Sequence, residues 1–242
     1  MMRRMPRALI GLAGLMGLGL SGCALLPQEQ LYQLQAPVTS LPPAGEGAAI
    51  LLGPVEVADY LQRDYLVQRQ PDGALVVDSK ARWAGNPAWE IRQLLLRQLS
   101  QNLQSSRLVL APDDTGFKAD FQVLLAISRL DSGTGQPARL EAQWRLLDSS
   151  GKLLNSRLVE LQENHDDSLA SQVQAQGRLL VALAGQLGQA LRPEIIRQAD
   201  AREKAARQAR EQEAQAARRR RERPAASSKS VPIRTEMGVF RF

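Results

Sequence analysis

Apolar and polar residues alternate over Ala138 to Leu147, where Ala138, Leu140, Ala142, Trp144 and Leu146 stand against Arg139, Glu141, Gln143 and Arg145. A period of two predicts a half-buried antiparallel strand, apolar inward and charged outward. Phe117 to Ser128 carries the same pattern, with Phe117, Ala119, Phe121, Val123, Leu125 and Ile127 sharing a face. Asp148-Ser149-Ser150-Gly151 turns the chain into a third strand, Lys152 to Gln162, and the three predict a meander. Upstream, Ala48 to Val57 (AAILLGPVEV) reads as a buried strand whose Pro54 belongs at an edge, a bulge or a strand end. Tyr65 to Gln70 and Ala74 to Asp78 flank Pro71-Asp72-Gly73 and predict a hairpin. Leu31 to Leu34 and Arg107 to Ala111 are shorter strand candidates. Ala36 to Gly47, with three Pro and two Gly, reads as a loop, and Pro112-Asp113-Asp114 as a turn.

Two segments switch to the helical period. From Asn86 or Pro87 to about Gln104, Ile91, Leu94, Leu95, Leu99 and Leu103 form one apolar stripe. A second long helix opens after Asp166-Asp167-Ser168, which offer caps and first-turn negative charge. Its stripe is Leu169, Val173, Leu180, Leu183, Leu187 and Leu191. Gly177, Gly185 and Gly188 each cost about 1 kcal/mol of helix propensity, so close packing against the sheet is expected to explain them. Pro193 is expected to break or kink the helix. The order of elements predicts an α+β fold: a mostly antiparallel sheet with two long amphipathic helices packed on one face. The apolar stripes are read as core before they are read as a lipid-lined groove.

Both ends of the 242-residue chain depart from this body. Arg3, Arg4 and Arg7 precede thirteen uncharged residues, Ala8 to Leu20, and then Leu20-Ser21-Gly22-Cys23. A membrane-spanning helix needs ~20 apolar residues, so this is a signal peptide rather than an anchor. Cys23 is the chain's one cysteine. Its position after small residues marks a lipobox, with cleavage between Gly22 and Cys23 and acylation of Cys23. Two or more acyl chains make such anchoring stable. The expected organisation is 1–22 signal peptide, 23–30 lipidated tether, 31–197 α+β domain and 198–242 tail.

Charge separates the last two. From Gln198 onward there are 12 Lys or Arg against 6 Asp or Glu, whereas Cys23 to Arg197 carries 16 against 19. The basic character therefore belongs to the tail and the signal, and nucleic-acid binding by the body is not expected. Glu194 to Arg223 lacks Gly and Pro and would span ~45 Å if helical. Arg218, Arg219, Arg220 and Arg221 form a run suited to anionic lipid, lipopolysaccharide phosphate or an acidic partner, or to a solvated tail. Pro224 to Pro232 is disordered in composition. Val239-Phe240-Arg241-Phe242 ends the chain on aromatics, but no set of membrane strands accompanies it.

Enzyme chemistry needs a constellation, and none is legible. His165, the chain's one histidine, lies in a polar turn with Glu163, Asn164, Asp166 and Asp167, which reads as a helix-capping turn rather than a metal site. No nucleophile elbow, phosphate-binding loop or dinucleotide fingerprint occurs. Gly133-Thr134-Gly135 reads as a hairpin loop. Glu56, Asp59 and Asp64 are scattered, with nothing to mark a catalytic pair. No catalytic residue, metal or cofactor is expected.

The chain resembles the ABC-type transport auxiliary lipoproteins, the group around paraquat-inducible protein C. The resemblance covers roughly Cys23 to Arg197. It rests on the lipobox cysteine, Leu31-Tyr32-Gln33-Leu34, the run Gly53-Pro54-Val55-Glu56-Val57-Ala58-Asp59-Tyr60-Leu61-Gln62-Arg63, Val67-Gln68-Arg69, and Arg82-Trp83-Ala84 ahead of a helix. The tail from Gln198 departs from the family pattern, so nothing is carried over to it. The resemblance implies an outer-membrane-anchored, periplasm-facing subunit. Its partner would be an MCE-domain complex that moves lipids or other hydrophobic molecules between the two membranes. Ala24 after the cysteine, rather than Asp, fits outer-membrane sorting in that setting, and homo-oligomeric assembly is implied by analogy. By the same analogy Tyr60, Arg63, Tyr65, Arg82 and Trp83 are candidate partner-binding residues, since amphipathic aromatics contribute strongly at interfaces. Packing at a sheet edge is the alternative for them. A different class of function is a structural envelope lipoprotein whose basic tail tethers the outer membrane to an anionic layer.

Overall fold

The computed structural model describes residues 29–36, 40–112 and 115–222. The signal peptide, Cys23, most of the tether, Asp113-Asp114 of the predicted turn and the tail beyond Glu222 lie outside them. The chain divides into two compact units, Met1–Arg192 and Pro193–Phe242.

The fold is α+β. Eight strands form one mixed sheet: β1 (Gln30–Tyr32), β2 (Ile50–Val57), β3 (Tyr65–Arg69), β4 (Leu75–Trp83), β5 (Leu108–Leu110), β6 (Phe121–Gly133), β7 (Gln136–Asp148) and β8 (Leu153–Glu163). Two helices accompany them, α1 (Pro87–Leu103) and α2 (Leu169–Glu222). The longest ladders, β6–β7 and β7–β8, are antiparallel and make the predicted meander. Parallel pairs join β1 to β4, β2 to β5 and β2 to β6.

Strand β6 is the hub. Its ladder with β7 runs from Phe121↔Asp148 to Gly133↔Gln136 and fills one edge. The other edge is shared. β2 pairs along Phe121 to Ile127, and β3 touches at Ser132 through Gln68. Within the β2 stretch the register shifts between Leu52 and Val55, so Pro54 sits at a bulge, where its missing N–H breaks no ladder bond.

Alternation decides which side is core. Phe121, Val123, Leu125 and Ile127 on β6, with Ala138, Leu140, Ala142, Trp144 and Leu146 on β7, are buried. Ile91, Leu94, Leu95 and Leu99 of α1 join them, as do Val173, Leu180, Leu183, Leu187 and Leu191 of α2. Each buried Leu or Ile contributes about 1.5–3 kcal/mol relative to exposure, which makes this single layer the main source of stability. Phe117 and Ala119 precede β6 rather than belong to it.

Local signals fix the helix ends. Asn86 accepts from Trp89 N at 2.9 Å and caps α1, with Pro87 at its first turn. Ser168 Oγ accepts from Ser171 N at 3.2 Å and caps α2. The glycines of α2 serve contacts other than those expected. A Cβ at Gly177 would lie 2.5 Å from the Gln35 carbonyl oxygen, and one at Gly188 would lie 3.1 Å from Cβ of Asn102 on α1. Close approach is therefore to the segment after β1 and to α1, while Gly185 has open space beside it. Pro193 does not end the helix; it lies inside α2. Proline removes a single N–H, and Gln189, whose carbonyl loses that donor, is exposed and can be hydrated.

Candidate functional site

Strand pairing assembles two polar groups out of residues far apart in sequence. The first is buried. Asp131, on β6, is 2% exposed and accepts from Arg69 (Nη2 2.7 Å, Nε 2.8 Å), Arg129 (Nε 2.9 Å) and the Tyr60 hydroxyl (3.1 Å). The Tyr60 oxygen in turn accepts from Leu130 N at 3.0 Å. Arg69 also donates to the Gly73 carbonyl in the β3–β4 turn, and Arg129 to Glu141 on β7. One carboxylate thereby braces the 3-10 turn at Asp59–Gln62, β3, the β3–β4 hairpin and the β6–β7 ladder. Burial is the largest influence on the Tyr60 phenol. The Leu130 N–H opposes it and the Asp131 charge adds to it, so the pKa is pushed up to about 12. The hydrogen bond to Asp131 raises the Arg69 pKa further.

A second buried polar group lies beside it. Ser132 Oγ donates to Gln172 Oε1 at 3.1 Å and accepts from Gln176 Nε2 at 3.0 Å, and Gln68 Nε2 donates to the same Gln172 oxygen. It ties α2 to the end of β6, where Gly133 leaves no room for a side chain against the Arg69 carbonyl.

The exposed group lies on the β1–β4–β3 edge. Tyr65 pairs with Arg82 across the β3–β4 ladder, and the Arg82 guanidinium lies 4.9 Å from the Tyr65 ring centroid. Arg82 reaches Glu29 at 3.4 Å and Asp64 at 3.6 Å. Trp83 is half-buried, and its backbone N–H donates to the Asp64 carbonyl. Of the five candidate partner residues the structure thus joins Tyr65, Arg82 and Trp83. It places Tyr60 in the buried network and leaves Arg63 exposed at the end of the 3-10 turn. Continuing outward, Leu75 is 41% exposed and Val76 and Val77 are 47% exposed. Three consecutive apolar residues leave both faces of β4 uncovered.

Elsewhere, a groove of about 480 Å³ crosses the exposed sheet face between Ser128, Gln143 and Leu158. Its two carboxylates are matched by arginines, Glu141 by Arg129 and Glu160 by Arg139. His165 Nδ1 lies at the Asp166 carbonyl, in the turn that leads into α2. Asp166 is held below its ordinary pKa by Ser168, and Asp148 in the β7–β8 turn by Ser150. Among the described residues no three His, Cys, Asp or Glu are grouped to hold a metal ion. Arg218 to Arg221 are exposed on the second unit's stretch of α2.

Sequence reasoning missed Asp131, Arg69 and Arg129. The one signal available was a run of charge, Arg129 to Asp131, inside what proves to be a strand.

Fold and polar groups together define an α+β body that spends its buried charges bracing strands and leaves one sheet edge open. The chain belongs to the ABC-type transport auxiliary lipoprotein component family, whose model matches residues 32–188. A solved protein from Xanthomonas campestris, of the family DUF330, shares the fold at 16% identity, covering 68% of this chain and 98% of that one, with a TM-score of 0.55. A second, described as an uncharacterized protein, does so at 19% identity over 67% and 97%, with a TM-score of 0.54. The PelC dodecamer from Paraburkholderia phytofirmans is more distant, at 12% identity over 63% and 93% and a TM-score of 0.38. No curated protein matches the chain.

Proposed function

We propose that this family member is a non-catalytic, outer-membrane lipoprotein subunit of an intermembrane lipid-transport system, acylated at Cys23 and facing the periplasm. Its role is to dock the periplasmic assembly of an MCE-domain partner at the outer membrane. The observation that carries this reading is the placement of the family body. Its match opens at Tyr32, a short tether after Cys23. Among the described residues no helix is long and apolar enough to cross a membrane, and acyl chains on Cys23 are the anchor in this reading. The Tyr65–Arg82–Trp83 edge is the docking surface under this reading, because aromatic and Arg side chains dominate binding energy at interfaces. The test is co-purification of a tagged full-length chain after crosslinking in intact cells. Recovery of an MCE-domain protein supports docking; its repeated absence overturns it.

Exposure of every residue from Ala199 to Arg221 favours a second reading, in which the basic helix contacts an anionic layer. Truncation after Arg197 separates the two. Tethering fails on truncation, whereas docking by the folded body survives it.

A further inference from the structure

Strand β5 covers only the first part of one side of β2. The two pair over Ile50 to Leu52, with one further bond from Ala111 N to the Leu52 carbonyl. Past the bulge β2 runs on to Val57, and among the described strands β6 alone pairs with this second part. Ala58 N donates to the Ile127 carbonyl, so Glu56 and Ala58 turn their backbone toward β6. Val55 and Val57 therefore turn theirs to the uncovered side. A gap of about 330 Å³ opens there, walled by Pro54, Val57, Ala111 and Pro112 and by two polar side chains, Gln62 and Arg92.

Those two side chains hold the bonds that a neighbouring strand would make. Gln62 Nε2 donates to the Val57 carbonyl and Arg92 Nε to the Val55 carbonyl, both at 3.4 Å, beyond the usual N–H···O range. Contacts so long are readily exchanged for shorter ones. Arg92 projects from α1, and among the described residues its guanidinium meets no carboxylate. Glu56 also lines the gap, but it is one residue out of phase with Val55 and Val57 and belongs to the opposite face of the strand.

We infer that this gap is a docking slot for an extended segment of a partner protein, which pairs with Val55 to Val57 and presents an acidic side chain to Arg92. The segment's N–H groups take the Val55 and Val57 carbonyls, and the Val57 N–H donates back, so main-chain bonds supply the hold. Leaving the Val55 carbonyl frees the Arg92 guanidinium for a carboxylate, an ionised and therefore stronger acceptor. Charge complementarity thus selects an acidic occupant. The slot lies at the other end of the strand order from the Tyr65–Arg82–Trp83 edge, so it can be filled independently of that edge.

The test titrates four end-capped peptides, to about 5 mM, into the nitrogen-15-labelled full chain carrying Cys23→Ser. They are Thr-Val-Glu-Val-Thr, its glutamine and lysine counterparts, and Thr-Pro-Glu-Pro-Thr. The glutamate peptide should shift the Val55 and Val57 amides and the Arg92 side-chain N–H. It should bind at least about threefold more tightly than the glutamine peptide, with the lysine peptide weaker still. The proline peptide keeps the charge but cannot join a ladder, and should leave both amides unmoved. Arg92→Gln should erase the preference for glutamate over glutamine, and Arg92→Lys should restore part of it. Gln62→Ala removes only the cap on the Val57 carbonyl and should tighten binding of the glutamate peptide, which tests the slot with Arg92 intact. The inference is overturned if no peptide moves Val55 and Val57, or if glutamate and glutamine bind equally to the chain with Arg92 in place. Equal binding of the proline peptide overturns it too, by reducing the contact to charge alone. No MCE-domain protein enters the assay, so its failure is separate from failure of docking at the Tyr65 edge.

Discussion

Replacing Asp131 by Asn tests the claim that one carboxylate braces four parts of the fold. Asparagine keeps the size but removes the charge, and turns one acceptor into a donor that faces a guanidinium. The contacts at stake are those from Arg69, Arg129 and Tyr60, at 2.7–3.1 Å. Breaking a buried ion pair from one side costs about 3–5 kcal/mol. Here the arginines are 23% and 22% exposed and regain water once released, which puts the cost near the lower end. We expect about 3 kcal/mol, a factor of roughly 150 in the folding equilibrium. Urea denaturation of the two proteins at neutral pH, with equal slopes, measures it. A second readout is specific to the network. Absorbance titration should find the Tyr60 pKa below its native value of about 12, because Asp131 no longer raises it, yet still above 10, because burial remains. A loss under about 1 kcal/mol, or an unmoved Tyr60, would refute the bracing argument.

Tyr60→Phe should cost about 1–2 kcal/mol near neutral pH, since it orphans the Leu130 N–H. The folded phenol holds its proton to about 12 and the unfolded one to about 10, so its stabilisation is complete below pH 10 and lost as pH climbs to 12. The gap between wild type and variant in chemical denaturation should accordingly narrow across that interval. Two glycines of α2 should respond with opposite signs: Gly185→Ala, with open space, gains about 0.5–1 kcal/mol, while Gly177→Ala, driven against the Gln35 carbonyl, loses about 1–3 kcal/mol in thermal unfolding. Cys23→Ser should move the protein from the membrane pellet to the soluble fraction, and a variant that stays membrane-bound would contradict lipid anchoring. Arg82→Ala should change stability by less than about 1 kcal/mol, because its ion pairs are solvated, while weakening any partner capture that uses the Tyr65 edge.

The meander and both helices were legible because each buries one face and so writes its period into the sequence. β7 was predicted as Ala138 to Leu147 and runs from Gln136 to Asp148; α1 was predicted from Asn86 or Pro87 and starts at Pro87 under an Asn86 cap. β6 was predicted only to Ser128 because its last third turns polar: Arg129, Asp131 and Ser132 break the apolar pattern, and the groups that meet them, Arg69, Tyr60 and Gln172, are not sequence neighbours. Those partners lie 40 to 71 residues away in sequence, and no local pattern encodes them. The parallel pairs of β2 with β5 and β6 were hidden for the same reason. A buried strand shows hydrophobicity but not the direction of its neighbours. Pro54 was read correctly as one of three possibilities, and the register shift selects the bulge. Of the two outcomes expected at Pro193, a break does not occur, because its cost falls on a carbonyl that water can serve. Of the candidate partner residues, Tyr65, Arg82 and Trp83 came together as a group, whereas Tyr60 turned its hydroxyl inward.

The parallel pairing of β1 with β4 sets how the body bears load. A pull on the N-terminus draws β1 along its own axis, so the hydrogen bonds of the Gln30–Tyr32 ladder are strained together in shear rather than opened one at a time. The Glu29–Arg82 contact lies on that line of force, and Arg82 is itself tied to Asp64 and stacked on Tyr65. Tension entering at the N-terminus is therefore passed to β4 and β3 before it reaches the packed meander. Under the proposed docking role, the edge that presents Tyr65, Arg82 and Trp83 to a partner is also the one that takes up tension from the N-terminus.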